Sequence, residues 1–208
     1  MLPGRRCNLL LVCKRRRHEH EDFTCGAEVK IKRTRRVVGK PVHTRYEGES
    51  NLLVQEFIYT GRWPVSYRVS TFFGKVLGAW RVEASRDRRP LEGPEAFGRE
   101  PMDGGISVVS SGKGCAFRLT DDAEVLALAQ RAHDAFPDIP LLGVDIVREQ
   151  PSGRLYVIEV NSCGRTWHFS SERGLSIQRD SGFDLKSQFD ALQRAAAVLI
   201  EQTRRFAA

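Results

Sequence analysis

The stretch from residue 141 to residue 161 constrains the fold more than any other part of this sequence. Residues 142–148 and residues 155–160 are rich in β-branched and aliphatic side chains, which is typical of strands. A Pro-Ser-Gly sequence at residues 151–153 separates the two runs and indicates a turn. The stretch is therefore predicted to be a β-hairpin.

Acidic and amide side chains meet on one face of this predicted hairpin. Side chains alternate between the two faces of a strand, so Glu159 and Asn161 share a face with Leu155 and Val157. A hairpin centred on the turn places Asp145 opposite Glu159. Facing carboxylates repel each other, and a bound cation removes that repulsion. Two carboxylates and an amide oxygen suit Mg²⁺, but a solvent-exposed face with solvated acids has the same pattern.

Three further segments add a family resemblance to this pattern. Gly-Val-Asp-Ile, followed after the turn by Ile-Glu-Val-Asn, resembles the metal-binding end of the ATP-grasp superfamily. Residues 53–58 resemble the hinge strand that receives adenine in that family, and residues 67–76 resemble the next hairpin, whose arginine reaches the phosphates. The loop at residues 161–171 is similar to a loop of bacterial ATP-grasp proteins. The resemblance covers about residues 51–204.

The resemblance implies an enzyme that holds ATP between two α+β lobes. Such enzymes activate a carboxylate as an acyl phosphate, which an amine or a thiol then attacks. The implied ligands of Mg²⁺, or of Mn²⁺ in its place, are Asp145, Glu159 and Asn161. The residues implied to contact the nucleotide are Lys30 (or Lys32), Gln55, Glu56, Phe57, Ile58 and Arg68. Arg68 and Arg165 are the implied catalytic residues, because their positive charges would meet the phosphoryl group or a substrate carboxylate.

The predicted fold class is α+β, corresponding to the C-terminal lobe of an ATP-grasp enzyme. A mixed or antiparallel sheet is expected to have its helices on one face. A second hairpin is predicted around Gly74 and Lys75. The first predicted helix begins at a capping box whose first residue is Asp121, and this helix ends before Pro137. A second helix is predicted over residues 184–205. Residues 51–208 form this lobe.

The positive charge lies in the first 50 residues. They hold 13 Lys and Arg against 6 Asp and Glu, which accounts for the whole net charge of +7. Such a segment could meet nucleic acid or an anionic surface, although a solvated basic face has the same composition. Residues 51–208 are neutral, which argues against a nucleic-acid-binding protein. Residues 1–50 are interpreted either as unrelated basic sequence or as a remnant of the family's central lobe.

One missing feature qualifies the functional prediction. The glycine-rich loop that covers the phosphates in ATP-grasp enzymes is not recognisable, so the chain is expected to be truncated at its N-terminus. A non-catalytic remnant that at most binds nucleotide is the alternative function.

Five cysteines without a regular framework indicate a reducing cytoplasm, and no apolar run is long enough to cross a membrane. The expected partners are ATP and an unidentified carboxylate with an amine or a thiol, and a homodimer is compatible with this interpretation.

Overall fold

The computed structural model describes residues 10–15, 30–33, 52–53, 58–87, 90–92, 115–150, 152–162 and 166–207. Within the first 53 residues, three short strands form a small antiparallel sheet in the order β2-β1-β3. These strands are β1 (Leu10–Arg15), β2 (Lys30–Arg33) and β3 (Leu52–Leu53).

The main sheet has five strands in the order β6-β5-β4-β7-β8, and all neighbours are antiparallel. The strands are β4 (Val65–Phe72), β5 (Lys75–Ala84), β6 (Cys115–Leu119), β7 (Leu141–Arg148) and β8 (Leu155–Asn161). Phe73 and Gly74 join β4 to β5 with positive φ angles of 45° and 78°, as a tight hairpin turn requires. Both predicted hairpins are therefore confirmed.

Among the described residues, four helices accompany this sheet, and the predicted α+β class is confirmed. They are α1 (Ala123–Asp134), α2 (Glu172–Ser181), α3 (Leu185–Gln188) and α4 (Ala191–Ala207). The long helix predicted near the C-terminus is broken into α3 and α4, because Asp190 has a φ of 49° that a continuous helix does not allow. No helix within the described ranges combines the length and the apolar character needed to cross a membrane.

Helix α1 covers one face of the main sheet. Its Val125 and Ala129 are fully buried against Val69 of β4 and Val144 of β7. These contacts follow from the apolar stripe of α1 meeting the alternate apolar residues of the central strands. The first hydrophobic cluster therefore lies between α1 and this face.

The C-terminal helices pack elsewhere, which corrects the expectation that the helices share one face. Leu185 of α3 and Ala191 of α4 join Leu77 and Trp80 of β5 in a second hydrophobic cluster. Trp80 is the cross-strand partner of Arg68, and it therefore points away from the face that α1 covers. The reason is that β5 is buried along most of its length, so both of its faces need an apolar cover.

The side chain of Gln188 fixes α3 to the edge of β5. Its Nε2 donates to the carbonyl oxygens of Ala79 and Thr120, each at 2.8 Å, and its Oε1 accepts from the Ala79 amide at 2.9 Å. Arg194 of α4 donates from Nη1 to the carbonyl of Val76 at 3.0 Å. The side chains of α3 and α4 thus form hydrogen bonds with the backbone in the first half of β5.

The N-terminus of α1 is capped by Asp122, one residue after the predicted start of the capping box. Its Oδ1 accepts from the amides of Glu124 and Val125, each at 3.2 Å. Its Oδ2 forms a salt bridge with Nη2 of Arg148 on β7 at 2.7 Å. A single carboxylate therefore both caps the helix and ties it to the sheet.

This double role makes Asp122 testable against its neighbour. We expect Asp122→Ala to lower the free energy of unfolding by about 1–2 kcal/mol, because the cap and the Arg148 partner are lost together. Asp121→Ala is the control and should change it by less than about 0.5 kcal/mol. Urea denaturation of both variants measures the difference, and equal effects would contradict the assignment of the cap.

Candidate functional site

The predicted juxtaposition of acidic residues is present at the end of the β7–β8 hairpin. Asp145 and Glu159 are cross-strand partners, and Gly143 is paired with Asn161. The side-chain Nδ2 of Asn161 donates to Oδ2 of Asp145 at 3.1 Å. The placement of these three polar side chains on one face of the sheet is therefore confirmed, whereas their role as metal ligands stays a prediction.

A bulge in β8 corrects one detail of this prediction. Asp145 pairs with Glu159, but the next residue, Ile146, pairs with Val157, so β8 contains one extra residue at this point. Leu155 and Val157 consequently pack with Val160 against the first hydrophobic cluster. They do not share a face with Glu159, as uninterrupted alternation had predicted.

Arg68 of β4 is the positive partner of this acidic pair. Arg68 and Asp145 are opposite each other on adjacent strands, and Nη1 of Arg68 lies 2.5 Å from Oδ2 of Asp145. The two side chains are only 18% and 23% exposed, so solvent screens their attraction incompletely. A facing carboxylate pair that would otherwise repel thus has an internal counter-ion.

Gly143 provides the space in which the guanidinium lies. A Cβ atom at this position would come within 2.9 Å of Arg68 Nε and 3.0 Å of its Cζ. The Nε atom is buried and has no hydrogen-bond partner among the described residues. A glycine in the interior of a strand is a known sign of such a close approach, so the sequence contains a signal of this contact.

The segment at residues 166–171 covers the same face of the sheet. The imidazole of His168 packs edge-on against Trp80, with 4.9 Å between ring centroids. The ring of Phe169 is fully buried and lies against Gly78 of β5. Trp167 packs on Phe169, with 4.8 Å between ring centroids. The site thus has one wall formed by aromatic side chains.

His168 is held neutral in this environment. Burial is the main cause that lowers the pKa of its imidazole, and the nearby charges of Arg68 and Arg173 lower it further, to about 4. The hydrogen bond of Nδ1 to the carbonyl oxygen of Thr166, at 3.0 Å, acts in the opposite direction. Because a carbonyl can only accept, Nδ1 carries the proton of the neutral ring.

The serines beside His168 bind other groups. Ser170 Oγ accepts from Nε1 of Trp167 at 2.8 Å, and Ser171 Oγ accepts from the amide of Gly174 at 3.2 Å, where it caps α2. Neither serine is paired with the imidazole. The geometry therefore gives no support to a hydrolytic serine–histidine arrangement at this loop.

The acidic pair offers a suitable set of donors for a magnesium ion. The described part of the chain holds no cluster of three or more His, Cys, Asp or Glu side chains, and the donors at this site are the two carboxylates of Asp145 and Glu159 and the amide oxygen of Asn161. Two carboxylates and an amide oxygen are hard donors, and Mg²⁺ commonly completes its shell with water and phosphate. A cationic group already lies on Asp145 in the form of Arg68. The residues present therefore fit the ion.

The other residues predicted to contact the nucleotide are only partly described. Ile58 is half-buried and directly precedes Tyr59, whose carbonyl oxygen accepts from the amide of Gln150 at 2.8 Å. Lys30 lies in β2, where only the backbone is described. The predicted contacts of Gln55, Glu56 and Phe57, and the predicted catalytic role of Arg165, lie outside the described residues.

Comparison with known proteins gives matches only at the level of structure. No protein-family model and no curated protein sequence matches the chain. D-alanine–D-alanine ligase from Bacillus anthracis is 14% identical, with a TM-score of 0.46, and the match covers 93% of this chain and 56% of the ligase. ATP-grasp ligase PsnB, in complex with a phosphomimetic variant of its minimal precursor, Mg and ADP, is 14% identical, with a TM-score of 0.44. That match covers 89% of this chain and 46% of PsnB.

This chain is similar to ATP-grasp ligases. The matched structures are ligases of the family that the sequence motifs resemble. The chain spans about half the length of the ligases that it matches.

Proposed function

We propose that this chain is an ATP- and Mg²⁺-binding protein of the ATP-grasp type. Its reaction would join a carboxylate to an amine or a thiol through an acyl phosphate. The observation that carries the proposal is the pairing of Asp145 with Glu159 across adjacent strands, with Asn161 bonded to Asp145 and Arg68 beside it. Few structural roles require two facing carboxylates, since like charges opposite each other destabilise a sheet.

The proposed chemistry depends on positioning and on charge neutralisation. Mg²⁺, when bound by Asp145, Glu159 and Asn161, would neutralise charge on the phosphates of ATP. Arg68 would donate hydrogen bonds to phosphate oxygens, and Arg165 would pair with a substrate carboxylate or with the phosphoryl group in transfer. The rate enhancement would then come from bound geometry and from fixed charges, without a covalent intermediate on the protein.

The remaining contacts of the nucleotide are also proposals. The backbone at Glu56 and Phe57, between Gln55 and Ile58, would bond the adenine edge. Lys30 would reach the phosphates, and Mn²⁺ could replace Mg²⁺ because both accept oxygen donors. The identities of the carboxylate and of its amine or thiol partner depend on pocket residues outside this site.

A second candidate is a non-catalytic ATP-grasp remnant that binds nucleotide. It is favoured by one feature of the sequence, in which the glycine-rich loop that covers the phosphates in ATP-grasp enzymes is not recognisable. The two candidates share the metal site and differ in turnover. Release of ADP or phosphate from ATP in the presence of candidate carboxylates would therefore distinguish them.

The proposed metal site is tested by replacing one facing carboxylate. We expect Glu159→Gln to leave the ligand-free protein equally or slightly more stable, because repulsion with Asp145 is relieved. The rise in melting temperature produced by Mg²⁺-ATP should shrink markedly. For the wild type, a ligand at one hundred times its Kd adds about 2.7 kcal/mol to the free energy of unfolding, which is readily measured.

Glu201→Gln is the matched control. Glu201 is exposed on α4, and its replacement removes the same negative charge as Glu159→Gln. Its thermal shift with Mg²⁺-ATP should equal that of the wild type. An undiminished shift for Glu159→Gln would show that Glu159 is not a ligand. A wild type that shows no shift at all would remove nucleotide binding by this chain.

A further inference from the structure

We propose that Arg68 is the counter-ion of Asp145 in the metal-free protein and that a divalent cation displaces it. The displaced guanidinium would then be available to a phosphate oxygen of the nucleotide. This inference rests on the proposed function, because it concerns the metal of that same site. It adds an internal competitor that would couple metal binding to nucleotide binding.

The first step is electrostatic. Asp145 and Glu159 face each other on neighbouring strands, and the guanidinium of Arg68 lies 2.5 Å from Asp145 in a partly buried position. Arg68 therefore supplies the positive charge that a metal would supply at this carboxylate. Two cations at one carboxylate would repel each other strongly where solvent screening is weak.

The second step concerns the occupied oxygen. Oδ2 of Asp145 accepts from Nη1 of Arg68 and also from Nδ2 of Asn161. A carboxylate oxygen has about two lone-pair directions, so both are in use. A cation at Oδ2 therefore requires the guanidinium to leave. Asn161 would also have to turn its amide, because its oxygen and not its nitrogen can bind a metal ion.

The third step concerns a hydrogen-bond donor of Arg68 that lacks an acceptor in the present position of the guanidinium. Nε is buried beside Gly143 and has no acceptor among the described residues. A buried donor without an acceptor carries an energetic cost. A guanidinium presents a planar set of donors that matches phosphate oxygens well, so the nucleotide offers the acceptor that this position lacks.

These steps predict the direction of coupling between the two ligands. The metal would release Arg68 for the phosphates, and the phosphates would hold Arg68 away from Asp145. Each ligand therefore raises the affinity of the other, and the two effects on binding free energy must be equal. Removal of the guanidinium should tighten binding of the metal alone and weaken binding of the nucleotide.

The test measures binding of Mn²⁺ alone, without nucleotide, from the electron paramagnetic resonance signal of the free ion. We expect Arg68→Met to bind Mn²⁺ about tenfold more tightly than the wild type, which corresponds to about 1.4 kcal/mol. Methionine keeps an unbranched apolar chain beside Gly143 but carries no charge. The affinity of this variant for ATP in the presence of Mg²⁺ should fall.

Two controls separate a local effect from a general one. Arg86→Met removes an arginine that is 74% exposed and paired with Glu83, and it should leave the Mn²⁺ affinity unchanged. Asp145→Asn should abolish the tight site. If Arg68→Met does not fold, as judged by circular dichroism, Arg68→Gln replaces it. Its Mn²⁺ affinity should also lie above that of the wild type, because a glutamine side chain carries no positive charge.

The outcomes distinguish this inference from the function on which it rests. Equal or weaker Mn²⁺ binding by Arg68→Met, in a protein whose Mn²⁺ site is abolished by Asp145→Asn, would overturn the competition and leave the proposed function standing. Absence of Mn²⁺ binding from the wild type and from the Arg68 variants alike would overturn both. Tighter binding by Arg68→Met but not by Arg86→Met would support the competition.

Discussion

Gly174→Ala is expected to lower the free energy of unfolding by about 3 kcal/mol, as strong overpacking does. A Cβ atom at this position would lie 2.1 Å from the carbonyl oxygen of His168 and 2.6 Å from its carbonyl carbon. Backbone atoms cannot move aside as the end of a flexible side chain can. The substitution should therefore separate the first turn of α2 from the segment that covers the candidate site.

The carbonyl of His168 is also fixed by other contacts. It accepts from Nε2 of Gln178 at 2.9 Å, and Oε1 of the same glutamine accepts from the amide of Leu185 at 2.9 Å. Displacement of the carbonyl would thus disturb the connection between α2 and α3. The expected change in the free energy of unfolding is opposite in sign to that of most Gly→Ala substitutions in helices, since alanine is normally about 1 kcal/mol more favourable than glycine inside a helix.

Urea denaturation monitored by circular dichroism measures this effect. Arg179→Ala is the control in the same helix, because Arg179 is exposed, and it should change the free energy of unfolding by less than about 0.5 kcal/mol. If Gly174→Ala were as stable as the wild type, the close packing of α2 on His168 would be refuted.

Acidification is expected to destabilise the protein through His168. The pKa of its imidazole is lowered from 6.5 to about 4, chiefly by burial, so the folded state binds a proton less readily than the unfolded state. The stabilisation that comes from burying the neutral imidazole is fully present above about pH 6.5 and is lost as the pH falls toward about 4. This difference in pKa corresponds to about 3 kcal/mol of unfolding free energy.

A variant that cannot titrate in this range isolates the contribution of His168. His168→Asn retains a side-chain donor in the place of Nδ1, which bonds to Thr166, but has no ionisable ring. Unfolding free energies at about pH 7.5 and about pH 4.5 should differ by about 2.5 kcal/mol less in this variant than in the wild type. The buried His133, whose pKa is also lowered by burial, contributes equally to both proteins. An unchanged difference would mean that His168 is not buried as described.

The local pattern of the sequence was sufficient for the β7–β8 hairpin. The turn at residues 151–153 and the alternation around it placed Asp145 opposite Glu159, because pairing within a hairpin is fixed by the turn. The extra residue in β8 could not be predicted, since a bulge depends on how the hairpin packs on α1. The partner of Arg68 was equally hidden, because β4 and β7 are distant in sequence and spacing gives no information about which strands become neighbours.

Helix α2 was missed although the sequence contains its boundaries. Ser171 caps its first turn, and Gly182 ends it with a φ of 69°. Both are standard signals for the two ends of a helix. The residues between them are too polar to show an apolar stripe, so hydrophobic periodicity gave no indication of a helix. The helix is stabilised by contacts with residues outside it, such as those of Gln178 with His168 and Leu185. Such contacts leave no local pattern in the sequence.

The hydrogen bonds of Gln188 have a consequence for the edge of β5. Beyond the end of β6, the amide groups of Ala79 could pair with a strand from another molecule, as exposed sheet edges do in aggregation. The carboxamide of Gln188 has both a donor and an acceptor, and it binds both backbone groups of Ala79 as a neighbouring strand would. The carbonyl oxygen of Ala79 also accepts from the amide of Thr120 at 3.1 Å, so Gln188 and Thr120 together leave neither backbone group of Ala79 open to a strand from another molecule.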